Sequence, residues 1–228
     1  MYISKVRLRS DAQERRKYWS LIQNSYQIHS LVWDLFGDDP EQKRDFLFRT
    51  EEGSSLPEFL VISEREPVNR YDVWDIMTKE YHPRLMKGQR LSFVLRANPV
   101  VKKKNENGKQ CRHDVVMDYK VRLRNEKEEN LSASLVEIVQ HAGFLWLSSR
   151  AEEHGFSVAE REVVADGYRQ HSFRKSKGSH AVRFSTIEFS GILEVVDVDR
   201  FLTTLYHGIG PEKGFGCGMM LVKSADFL

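Results

Sequence analysis

Tyr26 and His29 stand three residues apart in the segment NSYQIHSLVWDLF, whose apolar spacing predicts a helix. Residues three apart on a helix share a face, so a phenol and an imidazole there can converge on one ligand atom. Histidine is the side chain suited to moving protons near neutral pH. A helix histidine beside Trp33 and Leu35 also has a plainer reading, as packing or as surface.

A second stretch bears on chemistry. Gly208 to Val222 reads GIGPEKGFGCGMMLV, with five glycines in fifteen positions. Neither common nucleotide loop fits it. Gly214 is followed by Phe215 instead of the lysine of a phosphate loop, and Gly208, Gly210 and Gly214 have one residue too many in the second gap of a dinucleotide fingerprint. The preceding VDVDRFLTTLYH is helical in pattern, and MMLV reads as a strand, so this is a helix-to-strand loop. Gly208 can cap the helix. Capping does not use all five, and a glycine run beside Lys213 lets a ligand come close to main-chain N–H groups. Gly208, Gly210, Lys213, Gly214 and Gly216 are therefore candidate binding positions. His207, against the loop, reads best as a helix C-terminal histidine favoured by the dipole, and Cys217 as a small buried residue.

The charge is unevenly spread. Lysine and arginine number 35 against 33 acids, a net charge of +2. Yet Gly167 to Ile187 carries Arg169, Arg174, Lys175, Lys177 and Arg183, with two histidines and no acid. The turn RKSKGS at its centre predicts a β-hairpin, which can lay arginines along a phosphate backbone and hold phosphates by paired hydrogen bonds. The bland alternative is an edge hairpin guarded against aggregation by its lysines. A second basic cluster, KKKNENGKQCRH, spans Lys102 to His113 and includes Lys109. Lys109 and Arg96 fit an anion path or plain surface equally. Two basic clusters with a glycine loop point to a polyanion.

These residues need a scaffold to hold them. Tyr2–Leu8 reads as a strand, about Asp11 to Phe36 as an amphipathic helix closed by Gly37, and Arg44–Thr50 with Pro57–Glu64 as a hairpin. A short helix near Tyr71–Lys79 and a strand Arg90–Asn98 complete βαββαβ, the ferredoxin-like unit. The second half repeats the theme: a helix Leu131–Ser149, a strand Phe156–Ala165, the basic hairpin, a strand Arg183–Val195, then the helix and strand around the glycines. The expected architecture is α+β, two tandem ferredoxin-like domains over residues 1–100 and 101–228. Forty per cent hydrophobic residues suffice for such cores. No run of 18 apolar residues exists, and MYISKVRLRSDAQERR has neither the apolar core nor the cleavage site of a signal peptide, so the expected compartment is the cytoplasm. Two distant cysteines, without a CxxC, imply neither a disulfide framework nor a zinc site.

The tyrosine-x-x-histidine helix ending in WDLF, the LRANPVVKKKNENGKQ segment, the helix FLWLSSRAEEHGF, the basic hairpin and the terminal GIGPEKGFGCGMMLV together resemble the CasE (Cse3) family, repeat-processing endoribonucleases of the type I-E CRISPR Cascade complex. The likeness runs in order over nearly the whole chain. It implies that two ferredoxin-like domains bind the stem-loop of a CRISPR repeat in precursor RNA. Such enzymes cut once at the 3′ base of the hairpin, with no metal or other cofactor, and stay on the mature crRNA as a Cascade subunit among its partner subunits. Carried over by motif, His29 is the catalytic histidine and Tyr26 its neighbour. RNA supplies the nucleophile as its own 2′-hydroxyl, so the products would be a 5′-hydroxyl and a 2′,3′-cyclic phosphate. The residues leave acid and base roles for His29 both open. The RNA would lie along Arg169, Arg174, Lys175, Lys177 and Arg183, mainly through phosphates, because the A-form major groove is deep and narrow.

Three other readings compete. Ferredoxin-like tandems also bind RNA without cutting it, with Tyr26 as a stacking platform. A metal-dependent nuclease would be silenced by EDTA. A small-molecule phosphotransferase is disfavoured by the missing phosphate-loop lysine and serine.

Overall fold

The computed structural model describes residues 1–9, 25–37, 42–51, 58–70, 72–104, 108–125, 133–174 and 181–225, and the side chains of 25 and 26 lie outside that description. The first unit runs β1 (Tyr2–Leu8), α1 (Ser25–Trp33), β2 (Phe46–Glu51), β3 (Glu58–Ser63) and β4 (Trp74–Glu80). Its strands lie in the order β2-β3-β1-β4, every pair antiparallel. That is the ferredoxin-like order. On α1 the apolar stripe of Leu31 and Val32, continued by Leu35 and Phe36, is buried against Val6, Leu8, Phe46, Phe48 and Phe59 of the sheet. The helix tightens before it stops: Leu35 and Phe36 donate three residues back, to Val32 and Trp33, ahead of Gly37 at φ +110°.

Where the sequence predicts a short helix near Tyr71–Lys79, Trp74–Glu80 forms the edge strand β4. Its burial alternates, with Trp74, Ile76 and Thr78 turned in and Asp75, Met77 and Lys79 exposed, and it pairs with β1 from Tyr2↔Glu80 to Leu8↔Trp74. A two-residue period serves an edge strand covered on one face, and the pairing of β1 decides the matter.

Arg90–Ala97, expected to close the first unit, opens the second sheet as β5. Its inward residues Leu91, Phe93, Leu95 and Ala97 belong to the second core, so the two sheets divide near residues 81–89. After β5 comes the hairpin of β6 (Val100–Lys104) and β7 (Gln110–Asp114), which carries the second basic cluster, and then α2 (Val115–Asn125). The theme resumes with α3 (Leu135–Ala151), β8 (Phe156–Arg174), β9 (Ala181–Val195), α4 (Val198–His207), a single 3-10 turn (Lys213–Phe215) and β10 (Met220–Ser224). The order β10-β5-β9-β8 is again that of a ferredoxin-like sheet, all antiparallel. Helix α3 begins at Ser134, whose hydroxyl accepts from the Glu137 N–H while the Glu137 carboxylate accepts from the Ser134 N–H.

The predicted strand Phe156–Ala165 and the basic hairpin's first arm are one strand of 19 residues. It slips register against β9 between Val158 and Val163 and again between Asp166 and Arg169, where Gly167 takes φ +59°. These irregularities let one strand serve first the core and then the ribbon.

The two sheets meet through a third apolar group. Leu47 and Ile62 point to the far side of the first sheet and pack on Met219 of the final loop. Strands β2 and β3 are thus buried on both faces, which is why DFLFRT and EFLVIS read as nearly unbroken apolar runs. Among the described residues no helix is long and apolar enough to cross a membrane.

Candidate functional site

His29 projects from α1 beside Trp33, one turn on, with the rings edge to face at 6.1 Å. Trp33 in turn meets Phe46 of β2 at 5.1 Å, so the core fixes the base of this ring group. The other side of the imidazole meets the final loop. His29 Nδ1 lies 2.7 Å from the carbonyl oxygen of Gly214, a hydrogen bond joining residues 185 apart in the chain. Because a carbonyl only accepts, Nδ1 carries the proton. Proton exchange with any ligand therefore takes place at Nε2. Tyr26 lies one helical turn earlier, and its side chain is outside the described residues.

The glycines are used largely within the chain. Gly208 ends α4 at φ +74°, its N–H donating to Thr204, and a Cβ there would stand 2.7 Å from the Gly218 carbonyl oxygen. Ile209 N–H donates to that same oxygen, and Gly218 N–H donates to Arg96 of β5, which clips the loop to the second sheet. Gly210 makes way for the indole of Trp146, and Gly216 closes the 3-10 turn in the left-handed region at φ +79°. Gly214 has ordinary backbone angles. Its bareness answers to His29, since a Cβ there would stand 3.2 Å from His29 Cε1 and 3.3 Å from Nδ1.

Two cations flank this contact. Lys213 Nζ donates to the His207 carbonyl at 2.7 Å, and burial, then the nearby Arg44, hold its pKa below the ordinary lysine range. Arg44, on the approach to β2, has a half-buried guanidinium whose pKa burial lowers, and its Nε is buried without a hydrogen-bond partner. A Cβ on Gly214 would lie 3.6 Å from Arg44 Nη1. Sequence reading passed over Arg44, and its place next to a charged run in EQKRDF gave no signal. Cys217 is fully buried and its thiol is pushed up to about 12 by burial, which fits a packing residue.

Phe215 links the histidine to the basic ribbon. Its ring lies 5.6 Å from His29, 5.4 Å from Phe184 in a stacked arrangement and 5.1 Å from Phe173 edge to face. Phe184 stacks again on His171 at 4.7 Å. Rings from α1, the final loop, β9 and β8 form one column. Three of the five ribbon cations fall within the described residues. Arg174 pairs with Ala181 and Arg183 with Ser172 in register, near this column, while Arg169 lines a smaller cleft of about 330 Å³ with Arg49, Arg96 and Glu188. Lys175 and Lys177 lie outside the described residues. Lys109 stands at the turn end of the β6–β7 hairpin and lines neither of the two clefts beside the ribbon.

Arg96, which sequence left between ligand path and surface, has a structural engagement. Its Nε hydrogen bonds Glu188, whose other carboxylate oxygen accepts from Arg49 Nη2 at 3.1 Å. Glu188 of β9 thereby ties β2 of the first sheet to β5 of the second.

The folds and the site define a tandem ferredoxin-like protein in which the last loop of one unit locks a helix histidine of the other beside a basic ribbon. The chain belongs to the family described as CRISPR associated protein, whose pattern matches residues 1–224. It is 29% identical over 224 residues to the CRISPR system Cascade subunit CasE of Escherichia coli (strain K12), an alignment spanning 96% of this chain and 98% of that protein. It is likewise 29% identical over 243 residues to the CRISPR-associated endoribonuclease Cse3 of Thermus thermophilus, spanning 97% and 99%. Among solved structures it is similar to CRISPR endoribonuclease Cse3 bound to 19 nt RNA, at a TM-score of 0.70 and 27% identity over 98% of this chain and 100% of that one. Thermus thermophilus Cse3 bound to an RNA representing a pre-cleavage complex follows at 0.69 and 27%, over 97% and 98%.

Proposed function

We propose that this chain is an endoribonuclease that cuts the stem-loops of CRISPR repeats in precursor RNA without a metal, and remains on the product as a subunit of a cytoplasmic Cascade complex. The observation that carries this reading is the bond from His29 Nδ1 to the Gly214 carbonyl, at 2.7 Å. A bond that fixes the tautomer and the ring angle is what a proton-transferring histidine needs, and a merely packed one does not. The full-length relatedness to a protein named Cse3 endoribonuclease, and to its RNA-bound structures, supports the same reading.

The chemistry follows from the substrate. The 2′-hydroxyl oxygen attacks the adjacent phosphorus, the bond from phosphorus to the 5′-oxygen breaks, and the products are a 2′,3′-cyclic phosphate and a 5′-hydroxyl. The nucleophile is already next to the phosphorus, so no metal is required to generate it. One proton leaves the 2′-oxygen and one reaches the 5′-oxygen, and His29 handles one of the two through Nε2. Tyr26, a turn away, orients the reacting groups. Arg44, with its unpartnered Nε, and Lys213 supply positive charge to the phosphorane, whose extra negative charge exists only in the transition state. Arg169, Arg174, Lys175, Lys177 and Arg183 hold RNA phosphates along the ribbon, Lys109 adds charge from the second hairpin, and Gly208, Gly210 and Gly216 shape the loop that faces the cut strand.

The test is cleavage of a labelled repeat stem-loop in EDTA by wild type and His29→Ala, beside the same RNA with a 2′-deoxy residue at the cut. Expected is cutting by wild type alone, only of the all-ribose RNA, with binding retained throughout. Normal cutting by His29→Ala overturns the site, and binding without any cutting leaves a stem-loop-binding module. A substrate with sulfur as the 5′ leaving atom separates the two roles. If it restores His29→Ala, the histidine is the acid; if it does not, the histidine is the base.

A further inference from the structure

Beyond the ring column lies a larger cleft, of about 680 Å³, that the cutting reaction leaves without a task. It is lined by His171, Gln170 and Arg183 of the ribbon, Arg112 of β7, Asn98 after β5, and Glu212, two residues before the Gly214 that holds His29. Its floor is already organised. The Asn98 side chain, almost fully buried, donates to the Ser185 carbonyl at 2.7 Å. Asp114 accepts from the Tyr168 hydroxyl at 3.1 Å, from the Ser185 hydroxyl and from the Met117 N–H at 2.8 Å.

Three observations say what the cleft takes. The volume is within the range of small-molecule sites, which bounds the occupant to something of nucleotide size. His171 ends the ring column: Phe184 covers one face at 4.7 Å, Nε2 is engaged by the Thr186 hydroxyl at 2.9 Å, and among the described residues no ring covers the other face. Burial, then the charges of Arg96 and Arg169, keep this imidazole below its ordinary pKa, so it presents an uncharged π face at neutral pH. Last, Arg112 and Arg183 are exposed and, among the described residues, their guanidinium groups make neither an ion pair nor a hydrogen bond. Arginines left unpaired at the mouth of a cleft suit a phosphate, and a bare ring face inside it suits a base.

We propose that this cleft seats one unpaired nucleotide adjoining the scissile phosphate, with its base stacked on the outer face of His171 and its phosphate beside Arg112 and Arg183. This rests on the ribonuclease reading and gives that site a second contact outside the stem. The duplex fixes where the stem ends, and the seated nucleotide pulls the strand past His29, which the rings of Phe184 and Phe215 separate from His171 along the column.

The test uses repeat stem-loops with a 2′-deoxy residue at the cut, so that they bind uncut, and with a single abasic site placed in turn at each unpaired position flanking it. At one position, and not at the others, loss of the base should weaken wild-type binding about tenfold. His171→Ala should weaken the intact RNA by a similar factor and show no further loss with that abasic site, while His171→Phe should restore both affinity and sensitivity. Equal binding of all abasic RNAs, or losses that multiply in His171→Ala, overturns the seated nucleotide and leaves the nuclease intact. Failure of wild type to cut an all-ribose stem-loop overturns the nuclease reading and this one with it.

Discussion

His29 and Gly214, on different ferredoxin-like units, meet through one hydrogen bond of 2.7 Å, and a Cβ on the glycine would crowd the imidazole at 3.2 Å from Cε1. Gly214→Ala should therefore be a catalytic lesion in a position that touches no reacting atom. Its backbone angles tolerate alanine, so folding should hold, but the new methyl must displace the ring by a few tenths of an ångström. Single-turnover cleavage should slow by about tenfold or more with the Kd for RNA nearly unchanged. An unchanged rate would mean that the Gly214 bond does not set the reacting geometry.

Arg44 is held half-buried with its Nε unpartnered, an arrangement that costs stability unless charge arrives to use it. Arg44→Ala should lower the cleavage rate by about a hundredfold, as loss of a transition-state donor does, while binding changes little. Arg44→Lys should recover part of the rate. A thermal melt should show the alanine variant no less stable than wild type.

The carboxylate of Glu188 sits between Arg49 and Arg96 and joins the two sheets. Glu188→Ala removes the carboxylate that bridges two mostly buried guanidinium groups, although Arg49 keeps its pairing with Glu51 at 3.4 Å, and should destabilise the fold by about 2 kcal/mol in urea unfolding. Glu188→Gln should cost less, since it keeps one acceptor.

His154 and His171 both have pKa values lowered first by burial, so the folded chain keeps them neutral. The unfolded chain binds more protons once the pH falls below the ordinary imidazole value of about 6.5. Stability from this source is complete above that pH and is lost as the pH falls through it. Melting temperature should drop between pH 7.5 and 5.5, and the drop should shrink in His154→Gln.

What could be read from the sequence was local. The α1 stripe, the two β-rich halves and the ribbon arginines follow from spacing that a chain writes along itself. Trp74–Glu80 misled because VWDIM has apolar residues in adjacent pairs, which suit a helix turn as well as an edge strand, and only the β1 ladder decides. Arg90–Ala97 reads clearly as a strand, but which sheet receives it depends on β9 and β10, about a hundred residues later. At the site, Tyr26, His29 and the glycines stood out by type. Arg44, Phe184 and Phe215 did not, because a half-buried cation and a ring column exist only once four distant segments meet. The glycines were noticed for a ligand, and most of them serve the chain's own close approaches.

The long reach from His29 to the last loop also orders events in time. While the polypeptide is being made, the first sheet and its helix can fold long before residues 213–215 leave the ribosome. Until that turn arrives, the imidazole has no carbonyl to set its tautomer. On the proposed reading, a chain that has not yet placed that turn would thus carry the histidine without the contact that sets it, and cutting would wait on the turn's arrival.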